Sequence, residues 1–328
     1  MKIKERIILL FEESNEWSVK DLVDTLFVSK QAVHYVINQL LEEKIIEKLG
    51  RTPKTIYRKI NQNRLKSVLP SIEVSLEDQE FLLQNSLLIS ETGLLLQGID
   101  AFDYWCQQRK LPTLKTLEEF KTTKKKYLNY VNSEGLIDGL EKIKNTKGYE
   151  KIWLDELFYI DFYAIERFGK TRLGTLLHFA KQGQNKMLMK IMVDEIQFKL
   201  SNFVKNSGAD AIAFVPPTIR REVQIMKFME IHLKIPLPIV KLNKISGIIP
   251  VPQKSLNKLE ERIVNAENTF SVPEKNVYHH IILIDDAVGS GATLNMIAEK
   301  LKAKKVGKKI TGLAIVGSFK GFDVITDV

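Results

Sequence analysis

Hydrophobic and polar positions divide the chain into three parts that differ in their spacing. From 1 to 62, apolar positions recur at three- and four-residue intervals and then form two short runs around a Gly and Pro turn, which predicts three helices and a hairpin. From 63 to 150 the spacing is helical. From 151 to 328, unbroken apolar runs such as 211–215 and 281–284 alternate with helical stretches.

This division predicts the fold class and the domain boundaries. Unbroken apolar strands that alternate with amphipathic helices are typical of a parallel sheet with helices on both faces. We therefore expect an α/β domain over 151–328, an α+β domain over 1–62, and a helical connector or dimerising element over 63–150. The last possibility would make the protein a homodimer.

Composition narrows the class of protein. No apolar run approaches the roughly 18 residues that a membrane-spanning helix needs, so we expect a cytoplasmic protein without a membrane partner. The lone Cys106 cannot form an intramolecular disulfide, and the five histidines lack the spacing of a zinc site. The net charge of +9 favours polyanionic partners.

The third helix and the hairpin of the first part carry candidate nucleic-acid contacts. One stripe of the helix is apolar, whereas the opposite stripe can reach phosphates and base edges. From 44 to 66 the chain has eight Lys and Arg against Glu47 alone. The candidate contacts are Ser29, Lys30, Gln31, His34, Tyr35, Lys48, Arg51, Lys54 and Arg58.

Three helices followed by a basic hairpin resemble the winged helix-turn-helix family. The resemblance implies that the third helix enters the major groove and that the hairpin contacts the backbone or the minor groove. DNA or structured nucleic acid is then the expected partner. The alternative is a helical module for protein interaction, because a run of charge is often only a solvated surface.

The sharpest motif follows the apolar run 281–284. Asp285 and Asp286 end this run, and a loop that opens a helix comes next: Ala287, Val288, Gly289, Ser290, Gly291, Ala292 and Thr293. Glycines let backbone N–H groups converge on a phosphate, and a helix N-terminus adds a positive partial charge. Two carboxylates would repel that phosphate unless they face sugar hydroxyls or a magnesium ion.

The thirteen residues from 281 to 293 resemble the phosphoribosyl-diphosphate signature of type I phosphoribosyltransferases. The resemblance implies that Asp285 and Asp286 hold the ribose 2′- and 3′-hydroxyls as the catalytic pair, and that the loop wraps the 5′-phosphate. It also implies Mg²⁺, bound together with phosphoribosyl diphosphate and without direct protein ligands.

Further residues resemble the ComF-type branch of that family. Its characteristic string is matched by Gln253, Leu256, Arg262, Asn265 and Phe270, and Lys181 with Gly183 resembles its Lys-x-Gly turn. The family's pyrophosphate loop corresponds to a stretch here that lacks the family's Gly-Phe-Asn. Its candidates are Pro216, Pro217, Thr218, Arg220 and Arg221, and the alternative for them is a helix start with surface arginines.

Two functions are consistent with this layout. It resembles purine-repressor-type regulators, which implies a nucleic-acid-binding protein that responds to phosphoribosyl diphosphate or a nucleotide. It also resembles effectors of bacterial retron anti-phage systems. That alternative implies an active phosphoribosyltransferase that displaces pyrophosphate from ribose C1 and has a reverse transcriptase as partner.

Overall fold

The computed structural model describes residues 2–43, 45–51, 54–60, 72–145, 148–217, 221–245, 256 and 258–318. The chain forms two compact units, Met1–Ser71 (unit 1) and Ile72–Val328 (unit 2). The predicted boundary at 62/63 lies outside the described residues. Across the described part, no helix is both long and apolar enough to cross a membrane.

Unit 1 consists of three helices and a small antiparallel sheet. Its elements are α1 (Ile3–Glu13), β1 (Glu16–Trp17), α2 (Val19–Leu26), α3 (Lys30–Glu42), β2 (Ile46–Arg51) and β3 (Lys54–Lys59), with the strand order β1-β3-β2. Ser18 and Ser29 cap α2 and α3 by accepting hydrogen bonds from backbone N–H groups in the first turn. This is the order of helices and strands that the spacing predicts, with the short β1 added.

A five-stranded, mostly parallel sheet forms the centre of unit 2, which confirms the α/β class. Its strand order is β10-β13-β14-β7-β6. Neighbouring strands from β10 to β7 are parallel, and β6 is antiparallel to β7. The strands are β6 (Ile137–Asp138), β7 (Glu156–Phe162), β10 (Ala211–Phe214), β13 (Tyr278–Val288) and β14 (Gly307–Gly317).

Helices cover both faces of this sheet because its interior strand β13 is apolar on both. Along β13, Ile281 and Leu283 pack in one core, and Ile282 and Ile284 pack in the other. The first core also contains α11 (Leu259–Thr269) and α12 (Ala292–Ala303). The second contains α8 (Arg172–Gln182), α9 (Lys186–Ser207) and α10 (Ile225–His232).

The middle segment, from Ile72 onward, belongs to unit 2. It forms α4 (Leu76–Asn85), β4 (Leu87–Ile89), β5 (Leu95–Gln97), α5 (Gly98–Gln108), α6 (Thr113–Leu128) and α7 (Leu140–Lys144). Apolar residues of these helices, including Leu117 and Phe120, share one core with Leu157 of β7. Spacing reveals an apolar stripe but not the surface that buries it, and here the sheet and its loops bury it.

Short elements complete unit 2. They are β8 (Ala164–Ile165), a 3₁₀ turn (Glu166–Phe168), β9 (Gly169–Lys170), β11 (Asn243–Lys244) and β12 (Phe270–Ser271). Strand β8 pairs with β9, and β11 pairs with β12.

The chain reverses its direction across the sheet at β10. After β10 and α10 it returns at Ile239, which bridges Ile212 in parallel on the side of β10 away from β13. The next connection, through α11, leads to β13 on the opposite side of β10. Ligands of open α/β sheets bind outside the carboxyl ends of the strands at such a reversal, so the fold directs attention to the ends of β10 and β13.

Two leucines of α6 test whether the middle segment stabilises the sheet. Leu117 is 1% exposed, whereas Leu114 is 55% exposed. We expect Leu117→Ala to lower the free energy of unfolding by about 2–5 kcal/mol, and Leu114→Ala by less than about 0.5 kcal/mol. Urea denaturation measures this, and hydrogen exchange at the amides of β14 shows whether the loss reaches the sheet. Unchanged protection of β14 in Leu117→Ala would mean that α6 folds independently.

Candidate functional site

Two segments separate where the pairing of β10 with β13 stops. Strand β13 itself continues along β14 to Val288, so Ala287 and Val288 are strand residues and the loop that the sequence analysis begins at Ala287 starts only at Gly289. The strands pair in parallel from Ala211 with Ile281 to Phe214 with Ile284, so Val215 and Asp285 are the next residues along. The N–H of Val215 donates to the Ile284 carbonyl at 2.9 Å, which holds the two loops at their start. We call the space at these strand ends the crevice.

Asp286 has a partner that the sequence analysis does not predict. Its carboxylate forms an ion pair with Lys181 in the last turn of α8, and the two side chains are 9% and 24% exposed. An almost buried carboxylate needs a counter-charge, and α8 lies on the face of the sheet toward which Asp286 points. Lys181 contacts Oδ2 of Asp286. Oδ1 accepts no hydrogen bond from the described residues and can still accept one from a ligand.

Asp285 is enclosed differently from Asp286. The residue keeps part of its surface accessible, although protein atoms surround its carboxyl group. Burial and then the charge of Asp286 raise the pKa of the Asp285 carboxyl well above its ordinary value, while Lys181 acts in the opposite direction. The pair therefore carries less negative charge than two exposed aspartates, which reduces the repulsion of a nearby phosphate.

The loop after β13 presents backbone donors. Gly291 takes a left-handed conformation with φ of +80° as the N-cap of α12. Within the described part of the chain, the N–H groups of Gly289, Ser290, Gly291 and Thr293 donate no hydrogen bond. That of Ala292 donates only to Ser290 Oγ, at 3.4 Å. Such a turn with a helix N-terminus behind it is a favourable place for a phosphate.

Residues of the middle segment contact this loop. Tyr149 donates its hydroxyl hydrogen to the Ser290 carbonyl at 2.7 Å, and Ile143 lies directly beneath Gly291. Lys142 donates to the Ser318 carbonyl at 2.5 Å, and burial lowers the pKa of this lysine to about 8. The sequence analysis does not predict these contacts of Lys142, Ile143 and Tyr149, because the spacing of residues 140–149 does not indicate which distant strand they contact.

The loop after β10 also contacts Lys181, the partner of Asp286. Arg221 donates to the Lys181 carbonyl and, at 2.9 Å, to Gln182 Oε1. Pro216 and Pro217 are half-buried directly after β10. Thr218 and Arg220 lie outside the described residues. The last turn of α8 thus contacts both Asp286 and the loop after β10. The Lys-x-Gly resemblance at 181–183 was the sequence signal that could have identified this turn.

Two residues of the ComF-like string are buried in the interior of unit 2. Arg262 of α11 is buried and donates to the Leu256 carbonyl at 2.8 Å, and Phe270 is part of the core. Gln253 lies outside the described residues.

In unit 1 the candidate contacts of α3 are exposed, and Tyr35 keeps 67% of its surface. Ser29 differs from the rest in serving as the N-cap, accepting from the Ala32 N–H at 3.2 Å. In the hairpin, Lys48 and Lys54 are exposed, whereas Arg58 forms an ion pair with Glu16. The side chain of Arg51 lies outside the described residues.

Comparison with known proteins gives little more. No protein-family model and no curated protein matches this chain. Among solved structures, it is similar to the purine phosphoribosyltransferase of Pyrococcus horikoshii OT3 over 42% of this chain and 93% of that chain, at 20% sequence identity and a TM-score of 0.23. At that TM-score the likeness says nothing about what this chain binds.

Gly291 and Gly93 together test how tightly the loop is held. Both have positive φ, but a Cβ at Gly291 would lie 2.1 Å from Ile143 Cδ1, whereas at Gly93 it would meet nothing within 4 Å. We expect Gly93→Ala to cost about 1 kcal/mol of unfolding free energy from backbone strain alone, and Gly291→Ala to cost about 1–3 kcal/mol more. Thermal and urea unfolding of both variants measure the difference. Equal costs would show that Ile143 does not confine the loop.

Proposed function

We propose that the crevice binds a phosphorylated ribose, as phosphoribosyl diphosphate or as a nucleotide. The observation that carries the proposal is the order of groups along one segment, in which two carboxylates are followed, after two further strand residues, by a turn of unsatisfied N–H groups. A ligand with hydroxyls at one end and a phosphate at the other fits that order. The 5′-phosphate would bind to the N–H groups of 289–293, and the ribose hydroxyls would donate to Asp285 and to Oδ1 of Asp286.

The charges around the crevice favour a second anionic group. Lys181 and Arg221 lie next to the crevice. Lys181 is oriented by Asp286, and Arg221 is oriented by the Lys181 carbonyl. A diphosphate on this side would add charge-assisted hydrogen bonds to these cations. The described residues contain no cluster of three His, Cys, Asp or Glu side chains that could hold a metal. Mg²⁺ therefore fits this proposal only as an ion that the diphosphate itself coordinates, neutralising part of its charge.

Unit 1, in the same proposal, is a winged helix that binds DNA or structured nucleic acid. The exposed polar face of α3, its capped start at Ser29, and the exposed lysines Lys48 and Lys54 on the following hairpin support this. A ligand-binding unit and a nucleic-acid-binding unit on one chain form a ligand-responsive regulator. The paired state of Lys181 and Asp286 favours sensing, since a bound ligand would alter an existing ion pair.

Isothermal titration calorimetry with phosphoribosyl diphosphate and Mg²⁺ tests the crevice. We expect Asp285→Asn together with Asp286→Asn to weaken binding at least about tenfold, because both carboxylates are proposed to accept hydrogen bonds from the ribose. The matched control is Asp194→Asn, an exposed aspartate of α9 paired with Lys190, which should leave the affinity unchanged.

Equal affinity of the double variant and the wild-type chain would refute the assignment of the carboxylates. A pyrophosphate-release assay over a panel of base and nucleotide acceptors separates sensing from catalysis. Steady release with any acceptor would replace the regulator by a transferase and leave the binding site in place.

The salt dependence of binding to a random-sequence DNA duplex tests unit 1. We expect Arg51→Ala with Lys54→Ala to make the slope of log K against log salt less steep by about two, at roughly 0.9 per phosphate contact. The control is Lys4→Gln with Glu43→Gln, which removes an ion pair outside the candidate contacts without changing the net charge and should keep the slope. Fluorescence anisotropy measures both, and an unchanged slope in the first variant would exclude the hairpin from the contact surface.

A further inference from the structure

A second concavity lies in unit 2, between the middle helices and the β8–β9 hairpin. It encloses about 470 Å³, including the part open to solvent. Residues from the end of α4, from α5 and α6, from the hairpin, and Thr171 at the start of α8 line it. We call it the aromatic cleft. None of its lining residues belongs to the crevice or to the motifs discussed above.

Four aromatic side chains form its wall. Phe102, Phe120 and Phe168 are buried, and Trp105 is half-buried. They pack on one another, with ring centroids 5.3 Å apart for Phe102 and Phe120, 4.9 Å for Phe120 and Phe168, and 5.7 Å for Trp105 and Phe168. Rings held in this way offer a rigid apolar surface against which a planar group can pack.

Two lysines without an acidic partner line the same cleft. Lys124 of α6 and Lys170 of β9 are half-buried, and among the described residues neither has a carboxylate within ion-pair distance. The nearby acids are engaged elsewhere, Glu166 by Lys126 at 2.7 Å and Glu119 by Arg167. The ammonium of Lys170 lies 5.9 Å from the ring centroid of Tyr163.

One further carboxyl group interacts with Lys124 at longer range. Asp161 lies at the end of β7. Burial raises the pKa of its carboxyl group, whereas the charges of Lys124 and Lys199 act in the opposite direction. It accepts a hydrogen bond from the Phe162 N–H at 2.8 Å. Lys124 and Lys170 both line the cleft and have no ion-pair partner among the described residues, and two half-buried cations favour an anion in this space.

We propose that the aromatic cleft binds a small planar aromatic anion, with its ring against Trp105 and the phenylalanines and its negative group on Lys124 and Lys170. A cationic ligand would be repelled by the lysines, and a neutral apolar ligand would leave their charges unmatched. Nucleoside monophosphates and aromatic carboxylates share the required chemistry.

Trp105 provides the signal for the test. The tryptophan fluorescence of the full chain is titrated with AMP, with benzoate, and with two partial probes, adenosine and inorganic phosphate. Titrations use the Asp285→Asn, Asp286→Asn background, so that a ligand in the crevice does not contribute. We expect saturable quenching by at least one of the two complete probes, and binding at least about tenfold weaker by both partial probes.

Variants assign the signal to the cleft. Trp105→Phe keeps an aromatic wall and should abolish the quenching. Lys124→Gln with Lys170→Gln should weaken binding at least about tenfold, whereas Lys125→Gln, an exposed neighbour on the same helix, should not change it. Circular dichroism checks that each variant is folded. AMP and benzoate distinguish the two sources of the ligand.

Three results would overturn the proposal. They are the absence of saturable quenching by both complete probes, quenching that persists in Trp105→Phe, and equal affinity of the Lys124→Gln, Lys170→Gln variant and its Lys125→Gln control. Because the titrations are made with the crevice carboxylates removed, a failure here leaves the proposed ribose site untouched. Failure of the calorimetric experiment likewise leaves the cleft untouched.

Discussion

Burial of β13 on both faces and pairing on both edges is the constraint on which unit 2 depends. Its apolar residues join the two cores, and its parallel pairing with β10 places two strand ends side by side. Beyond its pairing with β10 the strand carries Asp285 and Asp286, whose charges cannot stay in such surroundings without compensation. Lys181 supplies that compensation for Asp286, and through its carbonyl the same residue holds Arg221 of the other loop.

The crevice is therefore an electrostatically balanced site. Burial raises the pKa of Asp285, Lys181 pairs with Asp286, and the N–H groups of the neighbouring loop, apart from that of Ala292, have no acceptor within the described residues. A bound phosphate would supply the missing acceptor, and sugar hydroxyls would supply donors for the carboxylates. This complementarity in hydrogen bonding, more than net charge, distinguishes the proposed ligand from any other anion.

Patterns in the sequence predicted the features that are local along the chain. The buried strand 281–284, the carboxylates that end it and the glycine turn after it are read directly from residue order, and the structure places them at a strand end. The Lys181–Asp286 pair and the support of Gly291 by Ile143 join positions far apart in sequence, so spacing could not reveal them. For the same reason, the helical period of the middle segment was visible, but the partner of its apolar face was not.

The crystal structure of the chain with phosphoribosyl diphosphate and Mg²⁺ is the most direct test. The account predicts the 5′-phosphate within hydrogen-bond distance of the N–H groups of 289–293, with ribose hydroxyls on the carboxylates of Asp285 and Asp286. A ligand bound elsewhere on unit 2, or a crevice that stays closed by Lys181 with no ligand at saturating concentration, would contradict it.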